Sequence, residues 1–257
     1  MRRRVWRRSS DSRALAMKKV AILQSNYIPW KGYFDILAAV DEFIIYDEVQ
    51  YTTNDWRNRN KIKTNTGLLW LTIPILHNNR FGQRIDEAQV SDGRWPKKHC
   101  QSLLTAYAKA PYFKTLFPSL EAVYDACRDL SGLSAINLAF LRWVHAALGL
   151  ATRLSSSADY PSGGDKNERL VEICRQAGAR SYLSGPSARC YIDESLFAAA
   201  GIAVEWMDYA GYPEYPQLHG PEFRHDVSIL DLLFNTGPEM AWQYLKTLKP
   251  RDTTAPT

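Results

Sequence analysis

The sequence predicts an α/β protein: a mostly parallel sheet flanked by helices, with an all-helical insertion near residues 96–148. Three observations lead there. Short apolar runs, β-branched at both ends of the chain, alternate with segments of helical spacing. The first strand, helix and strand fit within about 30 residues, the size of a βαβ unit. The middle of the chain instead carries three helical stretches in succession.

Residues 19–24 read as a buried strand, short, apolar and partly β-branched. Turn chemistry occupies residues 26–32. Residues 33–40 have helical spacing, with Phe34, Ile36, Leu37 and Val40 apolar. Residues 43–46 form a second strand. Residues 47–61 are polar, lack both periods, and are expected to be a loop leaving that strand. Residues 68–75 form a third strand, with Pro74 placing its end at an edge or rim. Helices are expected near 96–109, 115–129 and 134–148. Pro111 and Pro118 mark the first gap between them, and Ser131 with Gly132 the second.

Alternation then resumes. Residues 152–156 are a strand, and 168–176 a helix N-capped by Asp165 and ended by Gly178. Residues 181–184 and 203–206 are strands around a helix at 193–200. Residues 209–221, rich in Tyr, Pro and Gly, are irregular. Two helices, 227–234 and 239–245, close the chain. With no internal repeat, residues 17–246 are expected to form a single domain, followed by a flexible tail at 247–257.

A net charge of +5 suggests nucleic acid until its location is considered. Six arginines and one acid in residues 1–16 account for all of it, so residues 17–257 are neutral. A nucleic-acid binder gathers its basic groups on the fold, and no nucleic-acid partner is expected. Residues 1–16 read as a disordered basic tail, or as sequence upstream of a true start at Met17; their Arg-rich, acid-poor makeup also loosely fits a transit peptide. No run reaches the roughly 18 apolar residues of a membrane span, so no membrane insertion is expected. Cys100, Cys127, Cys174 and Cys190 are widely spaced with no C-x-x-C. This argues against zinc and a disulfide framework and for a reducing, cytoplasmic setting with buried thiols. The histidines form no ligand pattern; His77, at a strand end, is an acid/base candidate, and His219 and His225 fit no zinc spacing. No metal and no cofactor are expected.

Ligands of open α/β sheets bind beyond the carboxyl ends of the strands, and two polar loops leave such ends. In the second loop, Asp47 and Glu48 are candidate general bases. Asn54, Asn58 and Asn60 offer amides that donate and accept, and Gln50 is a further binding candidate. Arg57, Arg59 and Lys61 alternate, so an extended chain points them one way, toward phosphate or carboxylate. Trp56 offers a flat face to a sugar or base. The plain alternative is a surface loop whose charges pair among themselves. In the first loop, Gln24, Tyr27, Trp30, Lys31, Gly32 and Tyr33 open a helix whose free N–H groups favour an anion. Aromatic packing around a turn is the alternative there. No GxGxxG or Walker loop is present. Lys166, at the start of the helix after Gly163-Gly164-Asp165, is a second candidate phosphate contact; a solvated helix cap is its alternative.

Gln24-x-x-Tyr-x-Pro-Trp-x-Gly-Tyr-Phe34, Tyr46-Asp-Glu-Val-Gln-Tyr51 and Trp56-x-Asn-Arg-Asn-x-Ile62 resemble the WbqC-like family. So do Ala110-Pro-Tyr-Phe113, Ser155-Ser156, Gly164-Asp-Lys-Asn-Glu-Arg-Leu170, Tyr182-Leu-Ser-Gly185 and Ile229-Leu-Asp-Leu232, over residues 17–236. The resemblance implies a place in O-antigen or other surface-polysaccharide biosynthesis. The expected activity is a transferase modifying a nucleotide-activated amino sugar, by acyl, aminoacyl or related transfer, with the nucleotide sugar as its small-molecule partner. A non-catalytic sugar-binding protein of the same pathway is the alternative. A strand followed by Pro29-x-x-Gly32-Tyr33 and a helix is also loosely similar to the HxGH loop of nucleotidyltransferases, with Tyr33 at the second histidine.

Overall fold

Val20 and Ala21 point to opposite faces and both are fully buried, which puts β1 (Lys19–Leu23) inside a sheet covered on both sides. In the computed structural model, which describes residues 18–76, 82–248 and 250, the other strands are β2 (Glu42–Ile45), β3 (Arg59–Thr64), β4 (Gly67–Thr72), β5 (Arg153–Ser156), β6 (Ser181–Ser184) and β7 (Ala203–Trp206). The helices are α1 (Lys31–Ala38), α2 (Trp95–Tyr107), α3 (Phe113–Ala126), α4 (Leu133–Leu148), α5 (Lys166–Gln176), α6 (Glu194–Ala199) and α7 (Ile229–Thr236). The expected basic tail, His77 and most of the expected C-terminal tail lie outside the described residues.

The main sheet has the order β5-β2-β1-β6-β7, and every pairing is parallel. This bears out the α/β class. Chain order runs outward from β1 through β2 to β5, then crosses to β6 on the other side of β1. The order therefore reverses between β1 and β6, the kind of position where open α/β sheets take ligands. On one face, Ala21, Phe43 and Leu183 pack against α1, α7 and the C-terminal half of α4. On the other, Val20, Ile22, Ile44 and Tyr182 pack against α5 and α6 through Leu170, Ile173 and Phe197.

The chain from β2 to β5 carries the added structure. β3 and β4 form a separate antiparallel hairpin, Arg59 opposite Thr72 and Thr64 opposite Gly67. A third core joins Ile62, Leu71 and Ile73 to Trp95, Leu103, Leu120, Tyr124, Ile136 and Phe140 of α2, α3 and α4. The expected helical insertion is thus present, but α4 belongs to two cores. Leu133, Ile136 and Phe140 face the insertion, while Leu141, Val144 and Leu148 cover the sheet.

Several local expectations change. Residues 59–61 belong to β3, because Asn60 and Ile62 are buried between hairpin and helices while Arg59 and Lys61 beside them are half-buried. Pro118 lies inside α3 rather than between helices. It is exposed near the helix start, so the Lys114 carbonyl left without its N–H donor can bond to water. Residues 239–245 make only a short 3-10 turn, Ala241–Gln243, with Ala241 and Leu245 as buried anchors. Thr247 continues the packed chain, donating its N–H to Asp35 Oδ1 at 2.6 Å.

Asp231, in α7, ties the irregular segment to the rest. It accepts from Tyr107 Oη and Tyr215 Oη, each at 2.8 Å, and from Gln217 Nε2 at 2.7 Å. Burial raises its carboxyl above the ordinary range, against the pull of these donors. Removing the carboxylate in Asp231→Ala leaves two tyrosine hydroxyls and an amide without their buried acceptor. The expected loss is about 3 kcal/mol or more in urea unfolding, with Asp231→Asn losing less; a variant as stable as the parent refutes this role.

Candidate functional site

The loops leaving β1 and β2 are bound together by buried polar contacts. Asp47 Oδ1 accepts the Ser25 N–H at 2.8 Å. Asp47 Oδ2 accepts the hydroxyls of Ser25 at 2.7 Å and of Ser134, on α4, at 2.6 Å. Asn137 Nδ2, one turn further along α4, donates to Ser25 Oγ at 3.0 Å and to the Arg57 carbonyl at 2.9 Å. The backbone adds Tyr27 N–H to the Trp56 carbonyl at 3.1 Å. The β1 loop is strained at Ile28, a fully buried β-branched residue with φ of 37°. Asn60 Nδ2 holds it there by donating to the carbonyls of Ile28 at 2.9 Å and Tyr27 at 3.2 Å.

Between these loops lies a cavity of about 350 Å3, lined by Asn26, Pro29, Trp30, Trp56, Asn60, His225 and Asp226. Two indoles face it and two amides edge it. The start of α7 closes it, because Ser228 N–H donates to the Lys61 carbonyl at 2.8 Å and Ile229 N–H to the Pro29 carbonyl at 2.9 Å. Beside the cavity, Trp56 and Trp70 lie 5.5 Å apart and expose 41% and 39% of their surface. The Arg59 guanidinium stands 4.2 Å over Trp70, and Lys61 Nζ lies 5.1 Å from the same ring. Lys61 Nζ also pairs with Asp226 Oδ2 at 2.5 Å. Burial opposes the charge of Asp226, but bonds from Arg224 and Lys61 prevail and bring its carboxyl down to about 2. Among the described residues no hydrogen bond occupies the His225 ring, whose pKa is lowered by burial and by the nearby Lys31 charge.

The expected site residues divide. Trp30, Trp56 and Asn60 line the cavity, and Arg59 and Lys61 stand at its aromatic rim. Arg57 departs from the alternation because it precedes β3. Its guanidinium donates to Asn26 Oδ1 and, at 3.1 Å, to Gln24 Oε1. Other expected contacts are structural. Tyr27 is fully buried, its hydroxyl bonded to His99 Nδ1 at 2.8 Å and Tyr124 Oη at 2.7 Å. Tyr33 is buried and donates to the Gln24 carbonyl at 3.0 Å. Asn58 is buried and donates to the Ile73 carbonyl at 2.8 Å. Lys31 is walled in by Tyr212, Tyr215 and Phe223 and donates to the Pro213 carbonyl at 3.0 Å. At Gly32 a Cβ would overlap the Trp30 indole, so the glycine seats that ring rather than admitting a ligand. These contacts pack the side chains of Lys31 and Tyr33 and the Trp30 ring around the start of α1. Gln50 is exposed and bridges Arg84 through its backbone.

Asp47 and Glu48 do not line this cavity. They line a second one, about 330 Å3, at the ends of β2 and β5, with Asp86, Arg142, Ser156 and Asp159. The Asp47 carboxylate accepts from Ser25 and Ser134, its backbone carbonyl accepts the Asp86 N–H at 3.1 Å, and Glu48 Oε2 accepts from Ser157 Oγ at 2.8 Å. As placed, the two expected bases support the loops. Lys166 is exposed, far along the chain from both loops, and sits over the Tyr191 ring. Cys190 is exposed instead of buried, and all four cysteines are free. Among the described residues, no group of three or more His, Cys, Asp or Glu is arranged to hold a metal, and no helix is long and apolar enough to cross a membrane. His225, Asp226 and Trp70 escaped the sequence reading. The nearness of His225 and Asp226 to Asn26 depends on long-range packing, and no local pattern in the sequence marks it.

Residues 24–242 match the model of the WbqC-like protein family. The chain is 50% identical over 230 residues to the "Uncharacterized protein Rv1507c" of Mycobacterium tuberculosis (strain ATCC 25618 / H37Rv), covering 90% of this chain and 98% of that protein. No solved structure matches the chain.

Two variants test these placements. Asp47→Asn turns an amide toward donors that a carboxylate satisfied, and is expected to cost about 1–3 kcal/mol in urea unfolding; an unchanged midpoint refutes the clamp. Burial brings the Lys31 amine down to about 8, against the attraction of Asp35, Asp231 and Glu214. An unfolded lysine keeps its proton to about pH 10. The unfolded chain therefore binds more protons in that interval, and the destabilisation Lys31 causes below about pH 8 fades as pH rises. Parent stability relative to Lys31→Met should climb between those values, and a constant difference contradicts the assignment.

Proposed function

For this chain, which belongs to the WbqC-like protein family, we propose a group transferase that modifies a nucleotide-activated amino sugar for surface-polysaccharide biosynthesis. Family membership supports the pathway. The observation that carries the site is the sharing of one cavity by two loops from separate strand ends, with Trp30 and Trp56 as flat walls and Asn26 and Asn60 at the edge. A pyranose matches that lining: its C–H face packs on indole and its hydroxyls exchange hydrogen bonds with amides. The cationic rim of Arg59 and Lys61 favours the charged remainder of such a substrate.

The chemistry is assigned to His225, in place of Asp47 and Glu48. It lines the cavity, and its lowered pKa keeps the imidazole neutral near pH 7. Asp226, held ionised between Lys61 and Arg224, is a poor proton acceptor. In the transfer, the sugar's amine attacks the carbonyl carbon of an acyl or aminoacyl donor. A C–N bond forms, His225 takes the amine proton, and the bond to the donor's leaving group breaks with the electron pair departing on that group. A binding protein without catalysis is the second reading, favoured by the use of both expected carboxylates as structural acceptors.

Nucleotide sugars are expected to raise the melting temperature of the parent but not of Trp56→Ala. His225→Gln should retain binding and lose about 100-fold or more in transfer rate. The parent's acid limb should lie below the ordinary imidazole value of about 6.5. Absence of any shift across a nucleotide-sugar panel overturns the substrate class. Polysaccharide production that survives His225→Gln with binding intact selects the non-catalytic reading.

A further inference from the structure

The reversal of strand order between β1 and β6 marks a crevice that the cavity does not use. On the β1 side stands Arg57, fixed by Asn26 and Gln24, whose nearest carboxylate among the described residues is Asp55 at 3.8 Å. On the β6 side, the 3-10 turn Pro186–Cys190 leads to Tyr191. Its carbonyl accepts Asn167 Nδ2 at 3.0 Å, which pins this loop to the start of α5. Lys166 Nζ lies 3.0 Å from the centre of the Tyr191 ring and, among the described residues, makes no ion pair or hydrogen bond. β1 and β6 are adjacent and parallel, so the loop that holds Arg57 and the loop that carries Tyr191 leave the same end of the sheet side by side.

The start of α5 does not supply the seat. Asp165 Oδ1 accepts the N–H groups of Asn167 at 2.7 Å and Glu168 at 3.0 Å, and Glu168 Oε2 accepts the Asp165 N–H at 2.8 Å. Those carboxylates are spent on the cap, which leaves Lys166 with no carboxylate partner among the described residues, while Arg57 has Asp55 at 3.8 Å. Asn26 belongs to both places: it lines the cavity and accepts from Arg57.

We propose that this crevice seats the diphosphate of a nucleoside diphosphate, with Arg57 on the β1 side, Lys166 on the β6 side and Tyr191 between them. The inference rests on the reading of the protein as one that takes a nucleotide-linked sugar. It adds the position of the charged link: a sugar in the cavity passes Asn26 on its way to the crevice. A diphosphate brings at least two negative charges to two cations with no carboxylate at hydrogen-bonding distance, and each charge-assisted bond there is strong and salt-sensitive.

The exposed Cys190 thiol, beside Tyr191, reports on the crevice. Iodoacetamide labelling of the full chain is followed at each cysteine by mass spectrometry, with inorganic pyrophosphate or a nucleoside diphosphate added. Both are expected to slow Cys190 labelling several-fold and to leave Cys100 unaffected. Lys166 is exposed, so Lys166→Gln should fold normally; it should bind pyrophosphate about tenfold more weakly or worse. Binding by the parent should weaken as salt rises. Unchanged Cys190 labelling, or equal pyrophosphate affinity in Lys166→Gln, overturns the assignment. Protection by pyrophosphate but not by a nucleoside diphosphate overturns the nucleotide as its source. If nucleotide sugars still stabilise the protein through Trp56 while Cys190 stays unprotected, the crevice alone is lost. If neither occurs, the reading of the cavity falls with it.

Discussion

Asp47 accepts hydrogen bonds from the Ser25 backbone, the Ser25 hydroxyl and the Ser134 hydroxyl, and these belong to the β1 loop and to α4. It is itself the second residue after β2. One buried carboxylate therefore joins two strand ends and the helix that covers them. Asn137 extends the link to the Arg57 carbonyl. This chain of contacts fixes Asn26 and Trp30 on one loop relative to Trp56 on the other, together with the direct ties from Tyr27 N–H to the Trp56 carbonyl and from Arg57 to Asn26. A carboxylate suits the position because it accepts several bonds at once, each stronger than a bond between neutral groups.

The same economy recurs in the second half of the molecule. Asp231 gathers Tyr107, Tyr215 and Gln217, and so holds the irregular segment against α2 and α7. Lys63 adds the carbonyl of Glu222 at 2.6 Å, and His219 the carbonyl of Ala106 at 2.6 Å. A stretch without regular structure keeps few backbone bonds of its own, so side chains from elsewhere must supply them. Its far end delivers His225 and Asp226 to the cavity. Polar residues that look like site chemistry in the sequence thus divide into those that hold the loops and those that the loops present. Asp47, Glu48, Tyr27, Tyr33, Asn58 and Lys31 belong to the first kind, and Trp30, Trp56, Arg59 and Lys61 to the second.

Where local pattern decides, the sequence was legible. Residues 19–24 are short, apolar and β-branched, and they form a strand buried on both faces. Asp165 followed by Glu168 is a capping box, and it caps α5. The loops at residues 24–30 and 46–58 follow strand ends, as expected, though α1 already starts at Lys31 and β3 at Arg59. The misreadings share one cause. Residues 59–61 alternate charged and amide side chains, and only burial of Asn60 and Ile62 against distant helices makes them a strand. Pro118 normally ends a helix, but an exposed first-turn carbonyl loses little by its presence.

Taken by itself, the sequence determined the α/β class, the helical insertion and the two polar loops that border the cavity, because strand and helix periods and capping chemistry act over a few residues. Only the tertiary structure decided which polar groups face a cavity. It turned Asp47 inward to Ser25, Lys31 into an aromatic cage and Gly32 against Trp30. It also carried His225 across the chain to meet Asn26 and Trp56. Those outcomes depend on hydrogen bonds and packing between residues far apart in sequence, and no local period encodes which of two acceptable partners a side chain finds.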